Sequence, residues 1–511
     1  MIEYWLGAFD KKLPYRFYKL EFQERLLKGT LYEALPHDMF QDLDSSGNYI
    51  ALRKRRPQAP KNLSKVVVND SVSMLFGEGH FPSVQHKDKK FQTALGDLME
   101  EYRLQQRMIK IAKMGAVGSV AVEIAVVEGK LVLLPHKTKC MYPEFSEEDP
   151  TKLVAIEQRL MVASKELPAY GHKEPTDSEG RASTYWLVTR WDDVARTEYK
   201  PIPTTEDVMA KRKVHGEPDN HGLGEVPIVW IRNLPDMDEY QCGPDGEPTV
   251  PYDAAALAIE ADFQGSQSGR ALAYSSDPVT VITKGAEEFD DEGTLDQLSD
   301  PTRRAANVIE IEHGGKAEML EISGEGANAT REYVRDIREG FMELARGNRT
   351  SPDKLAAATS GYAIELMNMA LINLVKDLRL SYGEEGLLRI LELIVRISDK
   401  VVLEVGGKRF SAKPHKQSPL RLRWPPFYEQ NANDRQMQAA TLAQLTSASL
   451  LPLDTAREQA AVANGIVQQD ALDELPKAGY LPLVSANPAP PAAENHVSKD
   501  PNGQQLPKPK K

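Results

Sequence analysis

The sequence is poor in cysteine and has no long uninterrupted apolar run. Its two cysteines, Cys140 and Cys242, lie far apart in a chain of 511 residues, which excludes a disulfide framework and favours a reducing compartment. The amino terminus shows no basic start followed by an apolar core, so no secretory signal is predicted. The longest apolar region, 362–397, is interrupted by Glu365, Lys376, Asp377 and Arg379. We therefore expect a soluble intracellular protein with no membrane contact.

Motifs of common enzymes and metal sites are also missing. Neither Gly314-Gly315-Lys316 nor Gly406-Gly407-Lys408 continues into the Ser or Thr of a phosphate-binding loop, and both fit hairpin turns better. No nucleophile elbow, His-Glu-x-x-His or Cys-x-x-Cys sequence occurs. His136 and Cys140 stand close together without a second pair of ligands nearby. The sequence predicts no enzyme, no cofactor and no metal site.

Acidic residues outnumber basic ones, 75 to 63, and give a net charge of −12. A protein that grips DNA by its phosphates is usually basic, so the composition argues against tight DNA binding. It remains compatible with an acidic surface past which DNA slides. The basic run 53–56, followed by Lys61 and Lys65, contains no aromatic residues. We interpret it as a solvated loop rather than a nucleic-acid patch.

Residues 1–250 are predicted to mix helices and strands. The stretch 66–76 is a buried helix or strand, and 91–114 is one amphipathic helix. Its apolar face comprises Leu95, Leu98, Met99, Tyr102 and Met108. Alternation predicts two strands joined by a turn at Glu128-Gly129. The expected strands are Ser119–Val127, Lys130–Leu134, Leu153–Met161, Thr184–Thr189 and Ile228–Ile231.

Two helical patterns enclose a segment rich in strand-forming residues. The first helix is expected over 251–276 and the second over 328–346, where Gly347-Asn348 ends it. The apolar stripe of the second helix is Val334, Ile337, Phe341 and Leu344. Between the helices, a strand near 278–284 precedes a hairpin of Asn307–Ile311 and Met319–Ile322 across Gly314-Gly315. The residues between strand and hairpin include an acidic group, Glu287, Glu288, Asp290, Asp291 and Glu292.

A polar loop, 349–361, precedes the longest helical pattern of the chain, 362–398. We expect a bend in this helix at Gly383 or Gly386. Its apolar residues cover most of its circumference, which predicts burial on several sides. Short strands and polar helices follow, and the Pro-, Asn- and Lys-rich stretch from 484 onward is expected to be disordered.

Several stretches resemble the portal (head-to-tail connector) proteins of tailed bacteriophages, in their compact long-tailed-phage type. The longest is TSGYAIELMNMALINLVKDLRLSYGEEGLLRIL (359–391), a Ser-Gly followed by a long helix with later basic and acidic residues. The others are NLSKVVVNDSVSMLFGEG (62–79), GSVAVEIAVVEGKLVLLPHKTKCMYPEF (118–145), HGLGEVPIVWIRN (221–233) and LRWPPFYEQNANDR (422–435). The resemblance covers roughly 60–480 and leaves the first 50 residues and the tail unmatched.

The resemblance implies an α+β portal fold with named parts. A mixed α/β wing, paired stem helices, a small β-rich clip, a long wing helix and a helical C-terminal crown are expected. The implied bounds are wing 1–250, stem helix 251–276, clip 277–325, stem helix 326–347, tunnel loop 348–361, wing with backbone helix 362–430, crown 431–483 and tail 484–511. The long helix would then be buried between its own domain and a neighbouring subunit.

The resemblance also implies a function. About twelve copies would form a ring at one capsid vertex of the virion, after assembly in the host cytoplasm. Double-stranded DNA would pass through the ring during packaging and ejection. Further partners would be the large terminase, the head–tail adaptor, and the major capsid and scaffolding proteins. The alternatives are another ring-forming virion protein, or an enzyme with unrecognised motifs.

Two candidate sites follow from this reading. Tunnel-loop residues Arg349, Thr350, Ser351 and Lys354 are expected at the DNA channel, where Arg349 and Lys354 either touch passing phosphates or pair with carboxylates of an adjacent subunit. Clip residues Glu287, Glu288, Asp290 and Asp291 are expected to form a surface for partner proteins.

Overall fold

A computed structural model describes most of the chain up to residue 460. The described residues are 5, 13–58, 60–173, 182–236, 243–276, 280–283, 308–311, 324–347, 365–366, 368–410, 419–427, 432–452, 455–457 and 459–460. The chain divides into two compact units. The first comprises 1–358 and 364–427, and the second comprises 359–363 and 428–511.

The helices described in the first part of this unit include α1 (Tyr15–Lys28), α2 (Leu63–Phe76), α3 (Lys89–Glu101) and α4 (Leu104–Gly115). Short 3-10 turns lie at Leu31–Ala34, Leu52–Lys54, Thr138–Cys140 and Ser164–Tyr170. The stretch left open as helix or strand is therefore the helix α2. Asn62 caps it by accepting a hydrogen bond from the Lys65 backbone N–H at 3.1 Å.

The prediction of one helix over 91–114 is wrong, because the chain breaks between α3 and α4. Arg103 adopts a left-handed conformation with φ 48°. In a continuous helix, Leu104 and Met108 would point away from the face that carries Leu95 and Leu98. The break turns both sets of side chains into the same core, where all four are fully buried.

Two antiparallel sheets follow. After a short strand β1 (Ser83–Gln85), the strands of these sheets are β2 (Ser119–Val127), β3 (Lys130–His136), β4 (Met141–Phe145), β5 (Leu153–Ala163), β6 (Thr184–Trp191), β7 (Ala195–Glu198), β8 (Ile202–Pro203), β9 (Asp219–Asn220) and β10 (Ile228–Arg232). The three-stranded sheet has the order β10-β2-β3, and the larger one has the order β4-β5-β6-β7-β9 with β8 paired to β6. All five predicted strands are confirmed, and so is the turn at Glu128-Gly129, where both φ angles are positive.

The two enclosing helices are α5 (Tyr252–Ser276) and α6 (Gly324–Leu344). Between them, β11 (Thr280–Thr283) and β12 (Val308–Ile311) pair in parallel. The strand predicted at Met319–Ile322 and the turn at Gly314-Gly315 lie outside the described residues. In α6, the stripe assignment of Leu344 is wrong: this side chain is 46% exposed, whereas Met342 and Ala345 are buried.

The predicted long helix consists of α7 (Met369–Arg379), a π-helical segment (Leu380–Leu388) and α8 (Arg389–Lys400). The expected irregularity at Gly383 or Gly386 is thus a widened turn that contains both glycines. An added Cβ at Gly383 would lie 2.5 Å from Trp424 Cζ2, and one at Gly386 would lie 2.9 Å from Ile231 Cδ1. Only glycine permits these close approaches.

The long helix is covered largely by its own chain. Along α7 and α8 the inward apolar residues are nearly all buried, among them Leu371, Ile372, Leu391 and Ile394. They share one core with α2, α3, α4 and the three-stranded sheet. Met369 and Leu380 in the same helical pattern are 38% and 62% exposed, so the expected burial against a neighbouring subunit stays a prediction.

Short strands and a helix complete the described chain. A hairpin of β13 (Glu404–Val405) and β14 (Lys408–Arg409) turns at Gly406-Gly407, as predicted. β15 (Arg421–Arg423) pairs with β1 (Ser83–Gln85). In the second unit, α9 (Ala432–Ser447) confirms a helix within the polar stretch. Among the described residues, no helix is long and apolar enough to cross a membrane.

Candidate functional site

The sequence-predicted site residues all lie outside the described part of the chain. This holds for Arg349, Thr350, Ser351 and Lys354, and equally for Glu287, Glu288, Asp290 and Asp291. What the structure describes is the framework on either side of them. It consists of α5 and α6, the two strands between these helices, and the long helix that follows.

Helices α5 and α6 are rooted together in the main core. Near the beginning of α5, Ala254 and Ala258 are buried in the same apolar cluster as Phe341 and Met342 near the end of α6. Small alanine side chains allow the larger side chains of α6 to approach closely. The pairing of an N-terminal with a C-terminal end is that of antiparallel neighbours, which brings β11 and β12 to the far end of the pair.

A buried polar junction fixes where α5 begins. Asn233, with no exposed surface, donates from Nδ2 to the Glu247 carbonyl at 2.8 Å and to Thr249 Oγ1 at 3.1 Å. Its Oδ1 accepts a hydrogen bond of 2.9 Å from the hydroxyl of Tyr382 in the π-helical segment. Burial raises the pKa of Tyr382, so this hydroxyl stays protonated and remains a donor. One amide therefore connects the long helix to the segment that enters α5.

The end of α6 is also fixed to the long helix. The prediction that Gly347-Asn348 ends this helix needs correction, because Arg346 is the residue with positive φ, 52°. The Gly347 N–H donates to the Met342 carbonyl at 2.9 Å and the Arg346 N–H to Glu343 at 3.3 Å, which satisfies the last carbonyls. The Arg346 side chain pairs with Asp377 of α7 at 2.8 Å. The predicted tunnel loop thus starts from a defined position.

Farther along α5, Asp262 binds the part of the chain that precedes α2, residues 13–58 and 60–61, which we call the N-terminal arm. Its carboxylate accepts hydrogen bonds of 2.8 Å from the Tyr32 hydroxyl and from the Lys61 backbone N–H. Burial raises the pKa of Asp262, and these two hydrogen bonds offset part of that rise. Ser266, one turn later, accepts from the Gln58 N–H at 3.1 Å. An apolar cluster that includes Phe22 and other residues of the arm covers the same part of α5.

A second ionic contact lies nearer the far end of α5. Asp42 pairs with Arg270 of α5 at 2.6 Å and with Arg55 at 2.7 Å. Arg55 has no exposed surface and also donates to the Ile50 carbonyl at 2.7 Å. The interpretation of the run 53–56 as a solvated loop is therefore wrong for Arg55, which is a structural residue of the arm.

Sequence reasoning missed Asn233, Asp262 and Arg55. The one available signal was Asp262, a carboxylate inside an apolar helical pattern that would need partners if buried. Asn233 and Arg55 carry no such local signal, because their partners lie elsewhere in the chain. Contacts of this kind cannot be found from spacing alone.

The described residues offer no metal cluster of three or more His, Cys, Asp or Glu side chains. His136 bonds to Glu123 at 2.8 Å and to Gln158 at 3.1 Å. Burial raises the pKa of the Cys140 thiol, which disfavours the nucleophilic thiolate. These side chains are explained by the packing of the two sheets.

Residues 15–474 match the family described as phage portal protein, SPP1 Gp6-like. The chain belongs to this family. The match begins at residue 15, so α1 is part of the shared region although its sequence alone showed no resemblance. Among curated proteins, no sequence matches the chain.

Membership of the portal family fixes the function at a general level. The chain is mixed α and β, as the family's fold requires, and its role is that of a phage portal in DNA packaging. The family is structural rather than enzymatic and belongs to the capsid vertex of the virion. Portal proteins assemble into capsid-associated rings that handle DNA.

The junction at Asn233 gives a test of this framework. Replacing Asn233 by Ala leaves the Tyr382 hydroxyl with only the Ala112 carbonyl at 3.5 Å and removes the side-chain partner of the Glu247 carbonyl and the Thr249 hydroxyl. The substitution should lower the free energy of unfolding by about 1–3 kcal/mol. Denaturant unfolding of the full chain measures this. The matched control is Asn373→Ala on an exposed position of α7, which should change stability by less than about 0.5 kcal/mol. Equal stability of the two variants would contradict the assigned role.

Proposed function

We propose that about twelve copies of the chain form a closed ring around a channel for double-stranded DNA. The observation that carries the proposal is the order of wing, helix, small sheet and helix, with both helices rooted in one core, in a member of the portal family. The parts are the wing (1–250 and 362–430), stem helices (251–276 and 326–347), clip (277–325), tunnel loop (348–361) and crown (431–483). The wing would contact the major capsid and scaffolding proteins.

The clip is the proposed docking surface for the large terminase and the head–tail adaptor. Helix α5 has 25 residues and therefore spans roughly 37 Å. Because its beginning is in the wing core, β11 and β12 lie at the distal end of the stem. Glu287, Glu288, Asp290 and Asp291 belong to the segment between these strands and would supply charged contacts there.

The tunnel loop is the proposed point of contact with DNA. It follows Gly347, whose position is fixed by the end of α6 and by the Arg346–Asp377 ion pair beside it. Arg349 and Lys354 supply cations, and Thr350 and Ser351 supply hydroxyl groups. A single solvated contact to phosphate is weak, so DNA can be touched and still move. The competing arrangement pairs the two cations with carboxylates of the adjacent subunit.

Ring formation is the first test of this proposal. Native mass spectrometry of the purified chain should give an assembly close to twelve times the chain mass of 56.9 kDa, with thirteen-fold rings tolerated on overexpression. Only monomers or dimers at every salt concentration and protein concentration would contradict the proposed ring.

The tunnel loop is tested by Arg349→Ser combined with Lys354→Ser. If the loop touches DNA, the rings should keep wild-type thermal stability while the packaged or retained DNA decreases, because the cations no longer meet phosphate. If it is a subunit clasp, the stability of the ring should decrease instead. The control is Lys408→Ser with Arg409→Ser on the exposed β13–β14 hairpin, which also removes one lysine and one arginine charge. Wild-type values of both stability and DNA content would rule out both roles.

A further inference from the structure

The exposed side of α6 carries its charges in two separate rows. Arg331, Arg335 and Arg338 recur at helical spacing and form a basic stripe, and all three are exposed. Glu332, Asp336 and Glu339 recur with the same spacing, one residue later, and form an acidic stripe, also exposed. One residue of an α-helix is a rotation of about 100°, so the two stripes occupy adjacent faces.

The packing of α6 determines where these stripes lie. The buried residues of α6 are Ile337, Phe341, Met342 and Ala345, and Met342 lies one turn beyond Arg338. The acidic stripe is on the side of the helix opposite these residues, and the basic stripe is on one flank. Gly340 is on the other flank, where a Cβ would lie 3.5 Å from Leu257 of α5. Neither stripe is therefore directed at the chain's own core.

Few of the charged side chains in the two stripes form ion pairs within their own chain. Arg335 and Asp336 approach to 3.6 Å, but their side chains are 64% and 67% exposed, so this pair contributes little. In the described part of the chain, Arg331, Arg338, Glu332 and Glu339 have no ion-pair partner. Moreover, two pairs at four-residue spacing, Arg331 with Arg335 and Glu332 with Asp336, have like charge, whereas Arg335 and Glu339 have opposite charge but form no ion pair in the described structure.

We propose that the basic stripe of α6 docks on the acidic stripe of α6 in the next copy of this chain. This inference rests on the proposed ring and names the contact that closes its stem. In a ring, all copies of α6 are related by rotation about the ring axis. Each copy presents both stripes, so the same contact can repeat between neighbours until the ring closes. Complementary charge also explains why like charges are aligned along each helix: the opposing stripe compensates them.

The test is a charge exchange in the full chain. Variant one carries Arg331→Glu, Arg335→Glu and Arg338→Glu, and variant two carries Glu332→Arg, Asp336→Arg and Glu339→Arg. Either variant alone faces like charge across the contact, and should need more than tenfold more protein than wild type for half-maximal ring assembly. An equal mixture should recover rings that contain both variants, because alternating copies restore opposite charges. Native mass spectrometry reports both results.

The matched control reverses three exposed cations away from α6: Lys65→Glu, Lys408→Glu and Arg409→Glu. It changes the net charge as variant one does and should assemble like wild type. Wild-type assembly by both variants, or a mixture that stays dispersed, would overturn the α6 contact. Variant one that assembles normally but loses DNA would assign the basic stripe to DNA instead.

A milder variant, Arg338→Cys with Glu339→Cys, tests the contact if the charge reversals fail to fold. A bifunctional thiol reagent should then link neighbouring copies into a ladder of covalent multimers that extends beyond dimers. Cross-links that stop at dimers, or none above the wild-type background from Cys140 and Cys242, would contradict the heterologous contact. Wild-type chains that never form rings would contradict the proposed ring itself. Wild-type rings whose variants show none of the expected effects would contradict only the α6 contact.

Discussion

The placement of α5 beside the long helix depends on one buried polar junction. Asn233 accepts a hydrogen bond from Tyr382 and donates to Glu247 and Thr249, just ahead of α5. In a low-dielectric core, such a network is stable only when each group finds its partner, so it permits a single arrangement. Tyr382 of the π-helical segment also packs against Gly115 at the end of α4. An added Cβ at Gly115 would lie 2.2 Å from the Tyr382 hydroxyl, so a side chain there would displace it. Hydrogen bonds therefore connect the segment that enters α5 to the middle of the long helix.

Helix α6 and the N-terminal arm are in turn held against α5 and the long helix. Helix α6 packs beside α5 through Phe341, and its end is held to α7 by Arg346 and Asp377. The N-terminal arm adds a second support, since Asp262 and Arg270 attach it along the length of α5. The α5–α6 pair is thus fixed at one end by packing and along one side of α5 by hydrogen bonds and ion pairs. A rigid base of this kind suits a conduit that has to keep its shape while DNA moves past it.

The elements with strong periodicity could be predicted from the sequence, and those that depend on distant partners could not. The hairpin at Glu128-Gly129 and the helix α5 have local signals, an αL-compatible turn and a starting proline. By contrast, the break at Arg103 depends on tertiary packing, because the apolar residues of α3 and those of α4 must face the same core. The burial of Arg55 depends on Asp42 and Ile50, whose proximity is a property of the folded chain. The long helix has the apolar content expected of an interface; its inward residues are buried by its own chain, whereas Met369 and Leu380 are exposed.

The central claim is that the α5–α6 pair, fixed to the wing core, borders the channel of a portal ring. A cryo-electron microscopy map of the assembled protein tests this most directly. The account predicts a closed ring in which α6 and the segment after Gly347 line the central opening, while the sheet of β4 to β9 lies farther from the axis. A ring with α5 and α6 on its outer perimeter, or with the two helices separated from each other, would contradict it.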